Sequence, residues 1–202
     1  MTAEPVIDHP LKTCTIGEAV DAISNSSSKV LQLTAAQAGM WFAQKFSSPD
    51  SIFNLAESIE IHGSIDPALF EAALRQAGSE AETVRVRFIE QSDGPRQMIS
   101  PTLDTIFPFI DVSSEPDPRL AAESWMVAEL TRPVDLLTGP LWVCALFKAA
   151  PNHYFWYHRS HHIVMDGFTG GLFARRVAEI YTAFAEGRSP EEGTFGPLAN
   201  AV

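Results

Sequence analysis

Cysteine is scarce in this chain of 202 residues, which holds only two. Cys14 and Cys144 stand far apart without metal-type spacing, so neither a disulfide framework nor a zinc cluster is implied, and a reducing cytoplasm is the expected setting. Positive charge is also short. Fourteen Lys and Arg against 25 Asp and Glu leave a net charge of −11, which opposes the phosphate-neutralising surface that nucleic-acid binding requires. No nucleic-acid partner is expected, and the acidity is read as serving solubility. No run approaches the ~18 apolar residues of a membrane span. The N-terminus, MTAEPVIDHPLKTCT, lacks both a basic n-region and an apolar h-region, so no membrane association or export is expected. Internal repeats are absent, and the Gly170-Gly171 pair lacks the spacing of a phosphate-binding loop.

A hydrophobic content of 46% suffices for one sizeable core. Residues 1–29 read as a leader or linker, with a short helical pattern over 15–23 and then a polar run from Ser24 to Ser28. Residues 30–202 read as the domain. Thr34 and Gln37 have capping-box spacing ahead of apolar helical positions, which predicts a helix over 34–46. Alternation over 55–61 predicts a half-buried strand, and Asp66-Pro67 opens a second helix. VRVRFIE, the Asp93-Gly94 turn signal and RQMIS predict a β-hairpin. IFPFIDV is a further extended segment. A helix over 118–132 ends before Pro133, and LWVCALFKA and HYFWYHRS are two strands joined at Pro151-Asn152. An amphipathic helix over 168–186 stops at Gly187. Strands interspersed with helices indicate an α/β or α+β layer with a mixed sheet.

The chemistry concentrates in Ser160-His161-His162-Ile163-Val164-Met165-Asp166-Gly167, between an aromatic strand and a helix. Histidines at a strand end hold an imidazole rigidly at a cleft edge, where a group titrating near neutrality can accept a proton. Asp166 follows His162 by four residues and is placed to orient it or to pair with an arginine and brace the loop. Gly167 permits close backbone approach or a positive φ. His9, His62 and His153 are given structural roles. His158 lies nearby, but no Cys or Glu completes a ligand set at familiar spacing, so no metal site is assigned.

The string HHxxxDG resembles the signature of the acyltransferase superfamily that includes chloramphenicol acetyltransferase and the condensation domains of nonribosomal peptide synthetases. Residues 33–41, with Gln37 and Met40-Trp41, are similar to the first condensation-domain motif, although Gly39 replaces its later Arg. Residues 82–88 are similar to the second motif, retaining Glu82, Arg85 and Phe88, with Ala81 in place of its usual His. Gly139-Pro140-Leu141 adds a further likeness. The resemblance implies a chloramphenicol acetyltransferase-like lobe of mixed sheet and helices. It makes His162 the active-site imidazole that deprotonates or positions the acceptor amine, and His161 a packing residue. Asp166 becomes structural, salt-bridged to Arg85, so that Asp166→Ala would disorder the loop. Met165, Phe168 and Thr169 are implicated in acceptor choice.

The implied reaction is amide formation between a donor acyl thioester and an acceptor aminoacyl thioester. Both substrates arrive on phosphopantetheine arms of carrier proteins, and no cofactor is bound covalently. Because a condensation domain is roughly twice this length in two lobes of ordinary domain size, the chain is expected to be the N-terminal lobe alone, weak or inactive without the second. Its partners would be donor and acceptor carrier proteins, the C-terminal lobe and an adjacent adenylation domain. Two alternatives stay open: a trimeric acetyltransferase using acyl-CoA, and a non-catalytic lobe that docks carrier proteins. Residues 1–29 are either a docking element or a disordered leader.

Overall fold

In the computed structural model, residues 30–46, 52–103, 105, 107–193 and 195–202 are described. The expectations for residues 1–29 lie outside them. The elements run β1 (Val30–Leu31), α1 (Ala35–Phe46), β2 (Asn54–His62), α2 (Pro67–Glu80), a 3-10 turn (Glu82–Arg85), β3 (Val86–Gln91), β4 (Gly94–Ile99), β5 (Phe109–Asp111), α3 (Pro118–Leu130), β6 (Trp142–Ala150), β7 (His153–His161), α4 (Gly167–Ala185) and a final 3-10 turn (Leu198–Asn200). The expected mixed sheet is present as a four-stranded sheet in the order β2-β7-β6-β5. In it β7 pairs antiparallel with both neighbours and β5 runs parallel to β6. The hairpin β3-β4 belongs to a separate three-stranded sheet with β1.

Three helices start from the same local device. Asp66 accepts from the N–H groups of Ala68 and Leu69 (2.9 and 3.2 Å), Asp117 from Leu120 (3.0 Å) and Asp166 from Thr169 (2.8 Å). Each carboxylate satisfies donors that the first turn leaves orphaned. Thr34 and Gln37 form the expected capping box, exchanging bonds of 2.9 and 3.2 Å. Gly187 ends α4 with φ of 67°, a left-handed conformation that costs glycine little.

The sheet is covered on both faces, and this explains why HYFWYHRS shows no polar alternation. After His153, every residue of β7 is buried. Tyr154 and Trp156 face the larger core with Phe70 and Leu74 of α2 and Phe173, Val177 and Ile180 of α4. Phe155 and Tyr157 face a smaller core with Ala122 and Met126 of α3. T-shaped contacts tie the layers, with Phe70–Trp156 centroids at 5.3 Å and Trp142–Phe173 at 5.1 Å. A strand buried on both sides reads as a continuous apolar run, and β7 therefore carries its C-terminal end into the most constrained part of the lobe.

Candidate active site

The end of β7 emerges between the beginnings of its two neighbours. His161 N–H donates to Leu141 O (2.8 Å), His162 N–H to Phe53 O (2.8 Å), and a turn closes with Val164 N–H on His161 O (3.0 Å). His162 occupies the first corner of that turn. His161, Ile163, Val164 and Met165 are buried, whereas His162, Asp166, Gly167 and Phe168 are exposed. The apolar side chains anchor the loop and present one imidazole outward, which forms no hydrogen bond among the described residues.

His161 is fully buried and satisfied at both nitrogens. Its Nε2 lies 2.6 Å from Gln44 Oε1, and its Nδ1 accepts from Ile163 N–H at 3.1 Å. Since Nδ1 accepts, the ring is the neutral Nε2–H tautomer. Gln44 passes the chain on, donating to Val134 O at 2.7 Å. Burial, then the charges of Arg159 and His162, push the His161 pKa down to about 4. The fold thus accommodates only the neutral ring. Unfolding returns the ring to its ordinary value of 6.5, so between those two values the unfolded chain binds the extra proton and stability falls with acidification; above pH 6.5 the contribution is complete. Thermal melts across this range are expected to show a steeper acid loss in the wild type than in His161→Gln, by at most about 3 kcal/mol. Parallel profiles would contradict the neutral assignment.

Two supporting residues differ from expectation. Arg85 does not pair with Asp166. Its guanidinium donates to the carbonyls of Gly78 (3.2 Å), Ser79 (3.0 Å) and Ser100 (2.5 Å), closing the end of α2 onto the end of β4. The reason is local, because Arg85 leaves the 3-10 turn beside those unsatisfied carbonyls. Asp166 is instead the exposed N-cap of α4. The Thr169 backbone N–H, then its side chain and the nearby His162, hold its carboxyl below the usual range. Asp166→Ala is therefore expected to cost about 1 kcal/mol, as for other N-caps, lowering Tm by about 2–4 °C. A collapse of the fold in a calorimetric scan would restore the buried-pair reading. Gly167 takes the first helical position with no positive φ, and a Cβ built on it meets nothing within 4 Å. The expected steric need is thus not found among the described residues. Met165, implicated in acceptor choice, is buried in the larger core; Phe168 is exposed beside the turn.

Several bracing contacts escaped the sequence analysis. Gln37 Nε2 donates to Ile163 O at 3.2 Å, holding α1 against the histidine turn, and shares reciprocal 2.9 Å bonds with buried Gln97. Asn54 donates to the carbonyls of Leu130 and Arg132 at 2.8 Å each, securing the last turn of α3 beside Phe53. On β7, fully buried Arg159 pairs with Glu129 at 2.8 Å and donates to Pro140 O at 3.1 Å. Gly139, with φ of 66° and a cis peptide to Pro140, shapes that approach; a Cβ there would stand 3.2 Å from Leu141 N. The available signal was polar residues embedded in apolar patterns: Gln44 three positions after Trp41, and Gln97 before Met98. Next to this frame, a cavity of about 500 Å³ opens between Trp125, Glu129, Arg132, Pro140 and Trp142.

A layered lobe whose central buried strand delivers a single exposed imidazole has the architecture of the chloramphenicol acetyltransferase-like acyltransferases. The condensation-domain family model matches residues 27–199, and the chain belongs to that family, corresponding to the N-terminal part of the domain. It is 52% identical over 166 residues to the dimodular nonribosomal peptide synthase of Bacillus subtilis (strain 168), covering 82% of this chain and 7% of that protein. It superposes on the starter condensation domain of rhizomide synthetase with a TM-score of 0.82 at 44% identity, covering 86% of this chain and 42% of that one. A mutant of that domain in complex with C8-CoA and Leu-SNAC matches at 41% identity and TM-score 0.82, covering 90% and 41%. The chain thus spans about two fifths of these solved domains and a small part of the curated relative. Among the described residues, no helix is long and apolar enough to cross a membrane.

Proposed function

We propose that this chain is the histidine-bearing lobe of a domain that joins an acyl thioester to the amino group of an aminoacyl thioester, with His162 as the catalytic residue. The observation that carries the reading is the isolation of one exposed imidazole on a turn whose other side chains are pinned by packing and hydrogen bonds. Such fixing is what positions a group for reaction. The acceptor nitrogen attacks the donor carbonyl, the C–N bond forms as the C–S bond breaks, and the proton shed by nitrogen passes through His162 to the departing thiolate. Proximity of the two thioesters supplies much of the rate.

The second lobe completes the substrate passage in this reading, and phosphopantetheine arms of two carrier domains deliver the substrates. An adenylation domain loads the acceptor carrier. The rhizomide synthetase neighbour, solved in complex with C8-CoA and Leu-SNAC, supports acyl transfer to an aminoacyl acceptor for this chain, and a donor presented on CoA is the alternative to the first carrier domain. Acidic surface and scarce cysteine suit a soluble cytoplasmic assembly line.

The decisive assay joins this chain to a matching second lobe and supplies an acyl donor with an aminoacyl thioester acceptor. The joined protein is expected to release the N-acyl product, and the single chain to release far less. If the joined protein binds both carriers and forms no amide, the lobe docks without catalysis. A stable trimer of the single chain that acylates small amines from acyl-CoA would favour the single-lobed acetyltransferase instead.

A further inference from the structure

Far from His162, at the opposite end of the β2–β7 ladder, two imidazoles and a carboxylate converge. The register places His62 directly opposite His153 and Glu60 opposite Phe155, so Glu60, His62 and His153 share one face of the sheet. The rings of His62 and His153 stack with centroids 5.0 Å apart and planes 9° from parallel. Glu60 Oε1 lies 2.6 Å from His153 Nε2 and 3.6 Å from His62 Nε2. One oxygen and two nitrogens thus lie within 4.8 Å of one another, though their residues are up to 93 positions apart in sequence.

We propose that Glu60, His62 and His153 form a binding site for a divalent transition-metal ion of the zinc class. Two imidazoles and one carboxylate are a borderline ligand set of the kind that Zn²⁺, Cu²⁺ and Ni²⁺ favour and that Ca²⁺ and Mg²⁺ do not. Zn²⁺ bonds of about 2.0–2.1 Å at tetrahedral angles separate neighbouring ligand atoms by about 3.4 Å, and water fills the fourth position. The oxygen-to-His62 spacing is close to this figure; the His153 spacing must open by somewhat less than an ångström as the cation takes the place of the shared proton, and the stacked rings must turn about their side-chain torsions so that their in-plane lone pairs converge on the ion. The backbone beneath is fixed, because Gly63 N–H donates to Asn152 O at 2.9 Å, joining the ends of the two strands next to the ligands. Arg119 is the competing cation, 2.7 Å from Glu60 Oε1. It has a second carboxylate in Glu123 and packs its guanidinium over Phe155 at 4.8 Å, so it can release the shared oxygen without losing its own anchorage. The bound ion would tie edge strand β2 to central strand β7.

The test is calorimetric titration of the full chain with Zn²⁺, repeated for His62→Ala, His153→Ala and Arg119→Ala. One equivalent is expected in the wild type. Each histidine variant should weaken binding by at least about a hundredfold, since even residues that only orient ligands are worth 10–100-fold. Arg119→Ala should tighten it. Zn²⁺ at about a hundred times its Kd should raise the wild-type Tm by about 5–10 °C and leave the histidine variants unmoved. No binding to the wild type overturns the proposal, as does equal binding by the histidine variants, which would place the ion on other groups of the chain. Both histidines sit at the partly exposed end of the ladder, and unchanged circular dichroism of the variants separates loss of ligands from loss of fold.

Discussion

Replacing His162 by alanine is expected to abolish most amide formation in the two-lobe domain while leaving this lobe folded. Loss of a positioned proton acceptor typically lowers rate by about 10²–10⁴-fold, and the His162 side chain contributes no hydrogen bond to the described fold. Thermal melts of variant and wild type should therefore coincide within about 1 °C, as for an exposed substitution away from packing. His162→Gln distinguishes two roles. Glutamine can hold an amine by hydrogen bonding but cannot take its proton at neutral pH. If His162 positions the amine, the glutamine variant should keep a substantial part of the rate that alanine loses; if it accepts the proton, both variants should fail alike. Equal activity of wild type and alanine variant would remove His162 from the mechanism.

The largest effect on stability is expected at Arg159. Its side chain has no exposure and Glu129 has 6%, so Arg159→Met leaves a carboxylate buried without its inner partner. Breaking such a pair costs about 3–5 kcal/mol, or a fall in Tm of roughly 6–20 °C for a chain of this size. Arg132, 3.4 Å from the other Glu129 oxygen but largely exposed, draws the expectation toward the lower end. Changing both residues, Arg159→Met with Glu129→Gln, should recover much of the loss because no uncompensated charge remains. Differential scanning calorimetry of the two single variants and the double variant measures this. A single-variant loss below about 1 kcal/mol would show that water or Arg132 already solvates Glu129.

Much of this architecture is legible in the chain because its causes are local. Asp66-Pro67, the Thr34–Gln37 box and Gly187 mark helix ends through bonds spanning two to four residues, and the hydrophobic periods locate the longer strands to within a residue or two, though not the two-residue β1 or the start of β5. The HHxxxDG string singled out His162, and the fold leaves that residue exposed on its turn. The partners across the molecule were not legible. Whether Arg85 reaches Asp166 or the carbonyls at the end of α2 depends on how the 3-10 turn leaves the helix, which side-chain periodicity does not encode. The Gln37–Gln97 pair spans 60 positions and the Arg159–Glu129 pair 30, so a polar residue in an apolar run announces that a partner exists without naming it. The division into two sheets was hidden for a similar reason. A hairpin pattern defines its own two strands, while its attachment to β1 is set by tertiary packing.

The double-sided burial of β7 governs how the site moves. Amide protons from Tyr154 to His161 sit in ladders on both edges and under side chains on both faces, so their exchange with deuterated solvent should require global opening of the lobe. The turn bearing His162 grows directly from this slowest unit. Local opening elsewhere in the lobe is therefore expected to leave the backbone of this turn in place, and on the proposed reaction any widening that admits and releases thioester arms would fall to the elements around it. On the proposed reaction, positioning of the imidazole and passage of substrate would then belong to separately opening parts of one small structure.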